Sequence, residues 1–427
     1  MSRGLEFMED HLSTALIRRL SCVAVLVAIG MSAGCRPQID YSHELPPGMM
    51  ALKKISVGEY PEFSAGQNDL RALRDASNNS LIYLAKKSSN QYFPYEDISH
   101  DRAVATCNAF LELVDEQERN GRDKTSLNQA IRDRFEVYQS IGGYDETGNN
   151  FTNTVLFTGY FTPIYEGSMT PTAEFKYPLY TRPGDLLTDP EGITASRAEN
   201  GTYVPYYTRQ ELEQGDRLKG KELVYLKSRW DAYVITIQGS AKIRLPDGNI
   251  YEVGYAGNNG YPYTSPGKQM LKDGVIEKSQ LTLRGLKKYF EEHPADMDKY
   301  LAINRRFVFF TERKGGPFGS LNVPVTTFAT IATDKAVYPR AMPSFLMTQI
   351  PRDESGEPMV YNGFMLDQDT GGAIRAAGRC DIYMGVGPQA EAIAGHQMHE
   401  GQLYYVAVKP ELVQKYLTGK PALASAR

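Results

Sequence analysis

Asp367-Gln368-Asp369-Thr370-Gly371-Gly372-Ala373-Ile374-Arg375, followed by Cys380-Asp381-Ile382-Tyr383-Met384-Gly385-Val386-Gly387-Pro388, is the stretch of this 427-residue chain that decides its fold. Two carboxylates, Asp369 and Asp381, stand close in sequence, each beside glycines. Glycine lets a backbone turn tightly or approach a ligand closely. Strand-type residues with acids at their turns describe a site carried on a rigid β scaffold.

Working outward, the pattern on either side is also that of short strands. After Gly143, strands are expected over residues 154–161, 222–226, 232–238, 242–245 and 249–254, with Pro246-Asp247-Gly248-Asn249 as the hairpin turn between the last two. More follow at 307–311, 323–329, 344–348, 363–368 and 402–408, and a helix at 282–292 ends before Pro294. The N-terminal part reads differently. Apolar residues recur at helical spacing in 70–87 (Leu70, Leu73, Leu81, Leu84), 101–118 (Val104, Cys107, Phe110, Leu111, Val114) and 125–140 (Leu127, Ile131, Phe135, Val137). The last of these runs into Gly142-Gly143, a helix-stop signal. A helical start before a mostly β body points to barrel-like domains rather than βαβ units.

Before the helices, residues 36–65 contain Pro, Gly and Ser without clear periodicity and read as a tether. Ahead of them, Arg18 and Arg19 precede an apolar run at 20–29, too short to span a bilayer, that closes on Met31-Ser32-Ala33-Gly34-Cys35. Residues 1–35 therefore read as a signal peptide of the bacterial lipoprotein type. Cys35 is the acylated residue in this reading, and Ser32 is the one departure from the usual box. Arg36, where an Asp would favour the inner membrane, directs the anchor to the outer membrane, facing the periplasm. Cys107 and Cys380 are left as structural core thiols, not a disulfide framework.

Composition excludes some classes. Charged residues make up 23% and apolar ones 41%, ordinary globular values, and the net charge is −4 with no basic cluster, so nucleic acid is not an expected partner. Tyr is abundant at 28 against a single Trp; a flat face with a polar tip suits sugar grooves and β-rich cores alike.

The pattern D-x-G-G-A-I, then D-[IL]-[YF]-x-G-x-G-P, resembles the C-terminal signature of the membrane-bound lytic transglycosylase A family. The likeness continues in order through Thr158-Gly159-Tyr160-Phe161-Thr162-Pro163, Ile237-Gln238-Gly239-Ser240, Gly254-Tyr255-Ala256-Gly257-Asn258-Asn259-Gly260 and Tyr263-Thr264-Ser265-Pro266-Gly267-Lys268. It implies a mainly β protein with an N-terminal helical part and two domains flanking a groove. One is a double-psi β-barrel from residues 66–164 and 313–420, the other a smaller β-barrel inserted at 165–312. It further implies cleavage of the β-1,4 bond between MurNAc and GlcNAc of peptidoglycan strands, leaving 1,6-anhydromuramoyl ends. No cofactor or metal is called for, and the membrane is reached through the lipid anchor. Ordinary glycosidases need two carboxylates; here one acid would protonate the leaving oxygen and then, as carboxylate, take the proton of the substrate's own 6-hydroxyl.

In that family the acid is the Asp of the D-[IL]-[YF] motif, which is Asp381; Ile382 and Tyr383 beside it offer an apolar setting that raises a carboxyl pKa. Asp369 and Asp231 fall where the family has supporting aspartates. Thr158, Gly159, Tyr160, Gln238, Gly239, Ser240, Tyr255, Asn258, Tyr263, Ser265, Gly371, Gly372, Gly385 and Gly387 are the expected groove-lining positions. Read without the family, Asp381 could equally cap a turn and Asp231 could close a strand end.

Three rival readings fare worse. Asp369-Thr370-Gly371 is the aspartic-protease tripeptide, but no second copy exists to complete a dyad. His396 and His399 lie in an order that no zincin uses. A non-catalytic wall-glycan-binding barrel would have no need of an intact Asp381.

Overall fold

The computed structural model describes residues 38–188 and 194–418. The leader and Cys35 lie outside the described residues. In chain order the strands are β1 (Leu52–Lys54), β2 (Phe135–Ser140), β3 (Val155–Thr162), β4 (Ile164–Ser168), β5 (Tyr177–Tyr180), β6 (Leu187–Thr188), β7 (Ala195–Glu199), β8 (Thr202–Pro205) and β9 (Glu222–Leu226). They continue with β10 (Ser240–Arg244), β11 (Ile250–Asn258), β12 (Val308–Glu312), β13 (Thr330–Ala332), β14 (Pro343–Pro351), β15 (Pro358–Asp369), β16 (Arg379–Val386) and β17 (Met398–Val408).

Six strands close into a barrel in the order β17-β14-β15-β13-β16-β3, with β3 pairing back onto β17; β2 and then β1 extend from β17 outside the ring. The pairs β13–β15 and β16–β3 are parallel and the others antiparallel. Strand alternation divides the apolar side chains between two cores. On β17, Leu403, Tyr405 and Ala407 join Phe157, Ile331, Leu346 and Ile382 in one cluster. Tyr404, Val406 and Val408 face the other way, packing with Phe345, Phe364 and the helical residues Phe110 and Leu113. Sheet residues buried on both faces explain why these strands read as nearly continuous apolar runs.

The helices form as the sequence dictates. Asp69 caps Leu70–Leu84 by accepting from the Arg71 and Ala72 N–H groups, and Ser99 caps His100–Arg119 through the Arg102 N–H. The third helix departs from expectation. It spans Lys124–Arg134, and Phe135 begins β2 rather than a further helical turn. Phe135 and Val137 fit a period of two as well as the helical one, and β17 supplies the ladder partner that decides between them.

Residues 50–65 are likewise not a free tether. Strand β1 pairs with β2, and Ala51, Ile55, Phe63 and Ala65 are buried in the two cores. Their irregular spacing hides this, because each anchor fills a separate pocket instead of one stripe.

Between β3 and β13 the chain builds a second sheet, β12-β11-β10-β4-β9-β5, whose two edges meet at a Thr181–Phe310 bridge. Its core gathers Leu179, Val224, Ile235, Ile243, Val253 and Phe310. Residues 232–238, expected as a strand, belong to the helix Arg229–Gln238. Ser228 caps it and Gly239 ends it in the left-handed conformation at φ 78°. Its Val/Ile run favours a strand locally, but Trp230, Tyr233 and Val234 are buried together at helical spacing. Residues 323–329, also expected as a strand, are irregular, and the short β13 follows them.

Candidate active site

Asp381 lies within β16, so it is not a turn cap. Burial along that strand alternates: Cys380 and Ile382 are fully buried, while Arg379 and Asp381 occupy the opposite, partly open face. The parallel register with β3 sets Thr158 directly beside Asp381. Thr158 Oγ1 donates to Asp381 Oδ1. Arg379 Nη2 donates to Thr158 Oγ1 at 3.2 Å. Burial drives the Asp381 carboxyl above its ordinary pKa, opposed by the positive Arg379 and by the Thr158 hydroxyl. On its other flank the ladder partner of Asp381 is Ala332 of β13.

Asp369 ends β15, and its Oδ1 accepts the backbone N–H groups of Ser320 and Thr370 at 2.7 and 2.8 Å. Burial raises its pKa against these donors. The Tyr160 ring stacks obliquely on Tyr383 with centroids 5.1 Å apart, and its hydroxyl faces Asp369 without reaching hydrogen-bond geometry. Buried polar atoms normally find partners. Tyr160 Oη, Thr370 Oγ1 and Arg379 Nε all lack one, a concentration around the two aspartates that fits a ligand site.

Beneath them lies a buried ion pair that sequence reading missed. Lys335 is 5% exposed and Asp367 0%, and Lys335 Nζ bonds Asp367 Oδ1. Thr333 Oγ1 and Tyr405 Oη each donate to Asp367 Oδ2 at 2.7 Å. Burial lowers the Lys335 pKa and raises that of Asp367, while their attraction opposes both shifts. The sign of the Lys335 charge is also felt at Asp369.

The other expected positions divide by role. Gln238 Oε1 accepts the Phe161 N–H at 3.0 Å, tying the helix Arg229–Gln238 to β3. Ser240 lies 3.4 Å from the Thr162 hydroxyl, which in turn lies 2.9 Å from that of Tyr383. Burial raises the Tyr263 pKa, opposed by neighbouring Ser265, Tyr233 and the charges of Arg209 and Arg379; Ser265 itself caps Pro266–Lys272. Tyr255 accepts from Asn258 and is 44% exposed, whereas Asn258 is buried and holds the Gly260 N–H.

Several glycines mark close contacts. A Cβ at Gly159 would meet Ala394 and Gln397 at 3.0 Å, where the helix Pro388–His396 packs on β3. One at Gly372 would meet Arg306 Nε at 3.0 Å, bringing the inserted segment against the loop after β15 that holds Gly371. Gly385 and Gly387 adopt positive φ, and the Gly387 N–H bonds the Thr162 carbonyl.

Asp231 sits elsewhere. It occupies the first turn of Arg229–Gln238, not a strand end, and its charged neighbours are Lys287, Glu291 and Glu391. Burial raises its pKa, and its Oδ1 has no partner. Among the described residues no group of three or more His, Cys, Asp or Glu side chains is placed to hold a metal. His396 ends a helix while His399 lies in β17. Cys107 and Cys380 are free and buried.

Residues 156–311 match the family model described as the MltA specific insert domain, and residues 329–407 match the 3D domain. The chain is 30% identical over 306 residues to membrane-bound lytic murein transglycosylase A of Escherichia coli K12, covering 70% of this chain and 75% of that one. It is 30% identical over 276 residues to the protein of the same name from Vibrio cholerae, covering 63% and 68%. Among solved structures, the membrane-bound lytic murein transglycosylase of Agrobacterium tumefaciens superposes with a TM-score of 0.66 at 22% identity, over 86% of this chain and 99% of that one. E. coli MltA with bound chitohexaose gives 0.65 at 23% identity, over 89% and 100%. With the barrel, the insert and the paired strands β3 and β16 in view, these matches show that the chain belongs to the membrane-bound lytic murein transglycosylase A family.

Proposed function

We propose that this chain cleaves peptidoglycan strands between MurNAc and GlcNAc as a lytic transglycosylase, with Asp381 as the one acid and base. The reading is carried by the contrast between the two site aspartates. Asp369 has one oxygen committed to two backbone donors, whereas Asp381 has a single hydroxyl bond on Oδ1 and no protein donor on Oδ2 among the described residues. A desolvated carboxyl with one free oxygen can give up a proton and take one back. Asp381 protonates the glycosidic oxygen, the C1–O bond breaks, and the carboxylate then receives the proton of the 6-hydroxyl as O6 bonds C1. Asp369 shapes the loop that carries Gly371 and Gly372. Mass spectrometry of digested peptidoglycan tests the reading: anhydro ends are expected, and reducing ends made by water addition would refute it.

The shift at Asp381 sets the pH response. Because burial raises its pKa, the competent protonated form persists to higher pH than for an ordinary Asp. Activity therefore holds on the acidic side and falls as pH rises through that pKa. Asp381→Glu is expected to move this falling limb in a pH–rate profile; an unmoved limb would assign it to another group.

The relatives are named membrane-bound, and Cys35 supplies the anchor for this chain, as an outer-membrane lipoprotein facing the periplasm. Among the described residues no helix is long and apolar enough to cross a membrane. One acyl chain binds a bilayer marginally and two or three bind it stably. Cys35→Ser is expected to move the protein from the membrane to the soluble fraction with its glycan chemistry intact. A wild-type protein already soluble in its own host would overturn the anchor and leave the enzyme.

A further inference from the structure

We propose that Thr158 and Arg379 form a positioning relay that fixes the acid proton of Asp381 on Oδ2. The inference rests on Asp381 being the acid and base, and goes beyond it by naming the oxygen that does the work and what holds it there. Three side chains meet because of strand geometry. Arg379 and Asp381 are two residues apart on β16 and share a face, and the parallel register places Thr158 of β3 against Asp381.

Direction follows from the hydrogen inventory. A guanidinium can only donate, and a threonine hydroxyl has one proton and two lone pairs. Arg379 Nη2 occupies a lone pair of Thr158 Oγ1 at 3.2 Å, so the hydroxyl proton points to Asp381 Oδ1. In a protonated carboxyl the carbonyl oxygen is much the better acceptor, so the bond to Oδ1 favours the acid proton on the other oxygen. The proton therefore resides on Oδ2, which has no protein partner among the described residues.

The relay also favours one stage of the reaction. When Asp381 gives its proton from Oδ2 to the glycosidic oxygen, the Thr158 bond becomes one to a carboxylate and strengthens. Thr158 and Arg379 neither gain nor lose a proton, so they act through Asp381. Arg379 is suited to this because its Nη2 is held by Thr158 while its buried Nε has no partner, and its charge is also felt at Tyr263 of the insert. The other groups facing Asp381 do not compete. Tyr160 of β3 and the Cys380 thiol are neutral, β13 offers Ala332, and Glu391 on the helix behind β3 feels the charges of Lys287 and Asp231 rather than that of Asp381.

The test compares pH–rate profiles for release of anhydromuropeptides from purified sacculi. Thr158→Val, confirmed as folded by circular dichroism, is expected to move the falling limb upward by about one pH unit and to lower the acidic plateau about tenfold. Thr158→Ser keeps the hydroxyl and is expected to restore the wild-type limb. Arg379→Met should move the limb the same way, and by less when added to Thr158→Val than alone. A Thr158→Val limb that coincides with wild type, a Thr158→Ser profile like that of Thr158→Val, or full additivity with Arg379→Met would each remove the relay. Should Thr158→Val fail to fold, Thr158→Ala takes its place in the same three comparisons. An Asp381→Asn protein that keeps its rate would instead bring down the acid/base reading itself, a different and separable failure.

Discussion

Asp381→Asn is expected to fold normally, to retain glycan binding, and to lose about 10²- to 10⁴-fold in turnover, the usual contribution of a positioned acid and base. The amide fills the same space on β16 and can still accept from Thr158, so the barrel pairing is undisturbed. What it cannot do is release a proton to the glycosidic oxygen or accept one from the 6-hydroxyl. With one group proposed for both halves of the reaction, both are expected to slow together without accumulation of an intermediate. The measurement is anhydromuropeptide release from purified sacculi, with chitooligosaccharide binding followed in parallel. Near-normal release by the folded variant would shift the chemistry to another carboxyl, with Asp369 the next to test.

The second large effect is on stability. Lys335→Met is expected to cost about 3–5 kcal/mol at neutral pH, the usual penalty for stranding one member of a buried ion pair. Asp367, on β15, would be left with the Thr333 and Tyr405 hydroxyls but no counter-charge, at 0% exposure. The sign of the pH dependence follows. Without Lys335 the folded-state pKa of Asp367 rises further above its unfolded value, so the penalty is small below the unfolded pKa and grows as pH rises toward the folded one. Urea denaturation at neutral and at acidic pH should therefore show the gap between wild type and variant narrowing in acid. Lys335→Met/Asp367→Asn should recover part of the loss. A single-variant cost under about 1 kcal/mol would mean that the pair adds little beyond its packing.

Much of this architecture was legible in the sequence, and the parts that were not share a cause. The motifs around Thr158, Gln238 and Asp381 carry enough family information to specify the barrel and its insert before any geometry is known. Arg379 was hidden because Asp381 was read at a turn. Placing the same residues on a strand puts i and i+2 on one face and exposes the relation at once. The helix Arg229–Gln238 was hidden by Val234, Ile235 and Ile237, whose β-branching outweighed the Ser228 and Gly239 signals at its ends. Residues 50–65 and the Lys335–Asp367 pair were illegible for a stronger reason. Their partners come from distant parts of the chain, and no local pattern records a contact made across the barrel.

The barrel is assembled from two separated stretches of chain, and this sets when the protein can work. Of the six ring strands only β3 precedes the insert; the other five follow it. Thr158 and Asp381 are 223 positions apart and meet only when β16 lies down beside β3. Closure further needs β17, which ends at Val408. A chain emerging from its N-terminus can pair the whole insert sheet while Asp381 is still unmade, since contacts of long sequence separation form late. A chain still being synthesised therefore lacks the completed Thr158–Asp381 arrangement. The proposed site is complete only once β17 has closed the ring, so a copy interrupted before that strand is expected to be inactive on glycan.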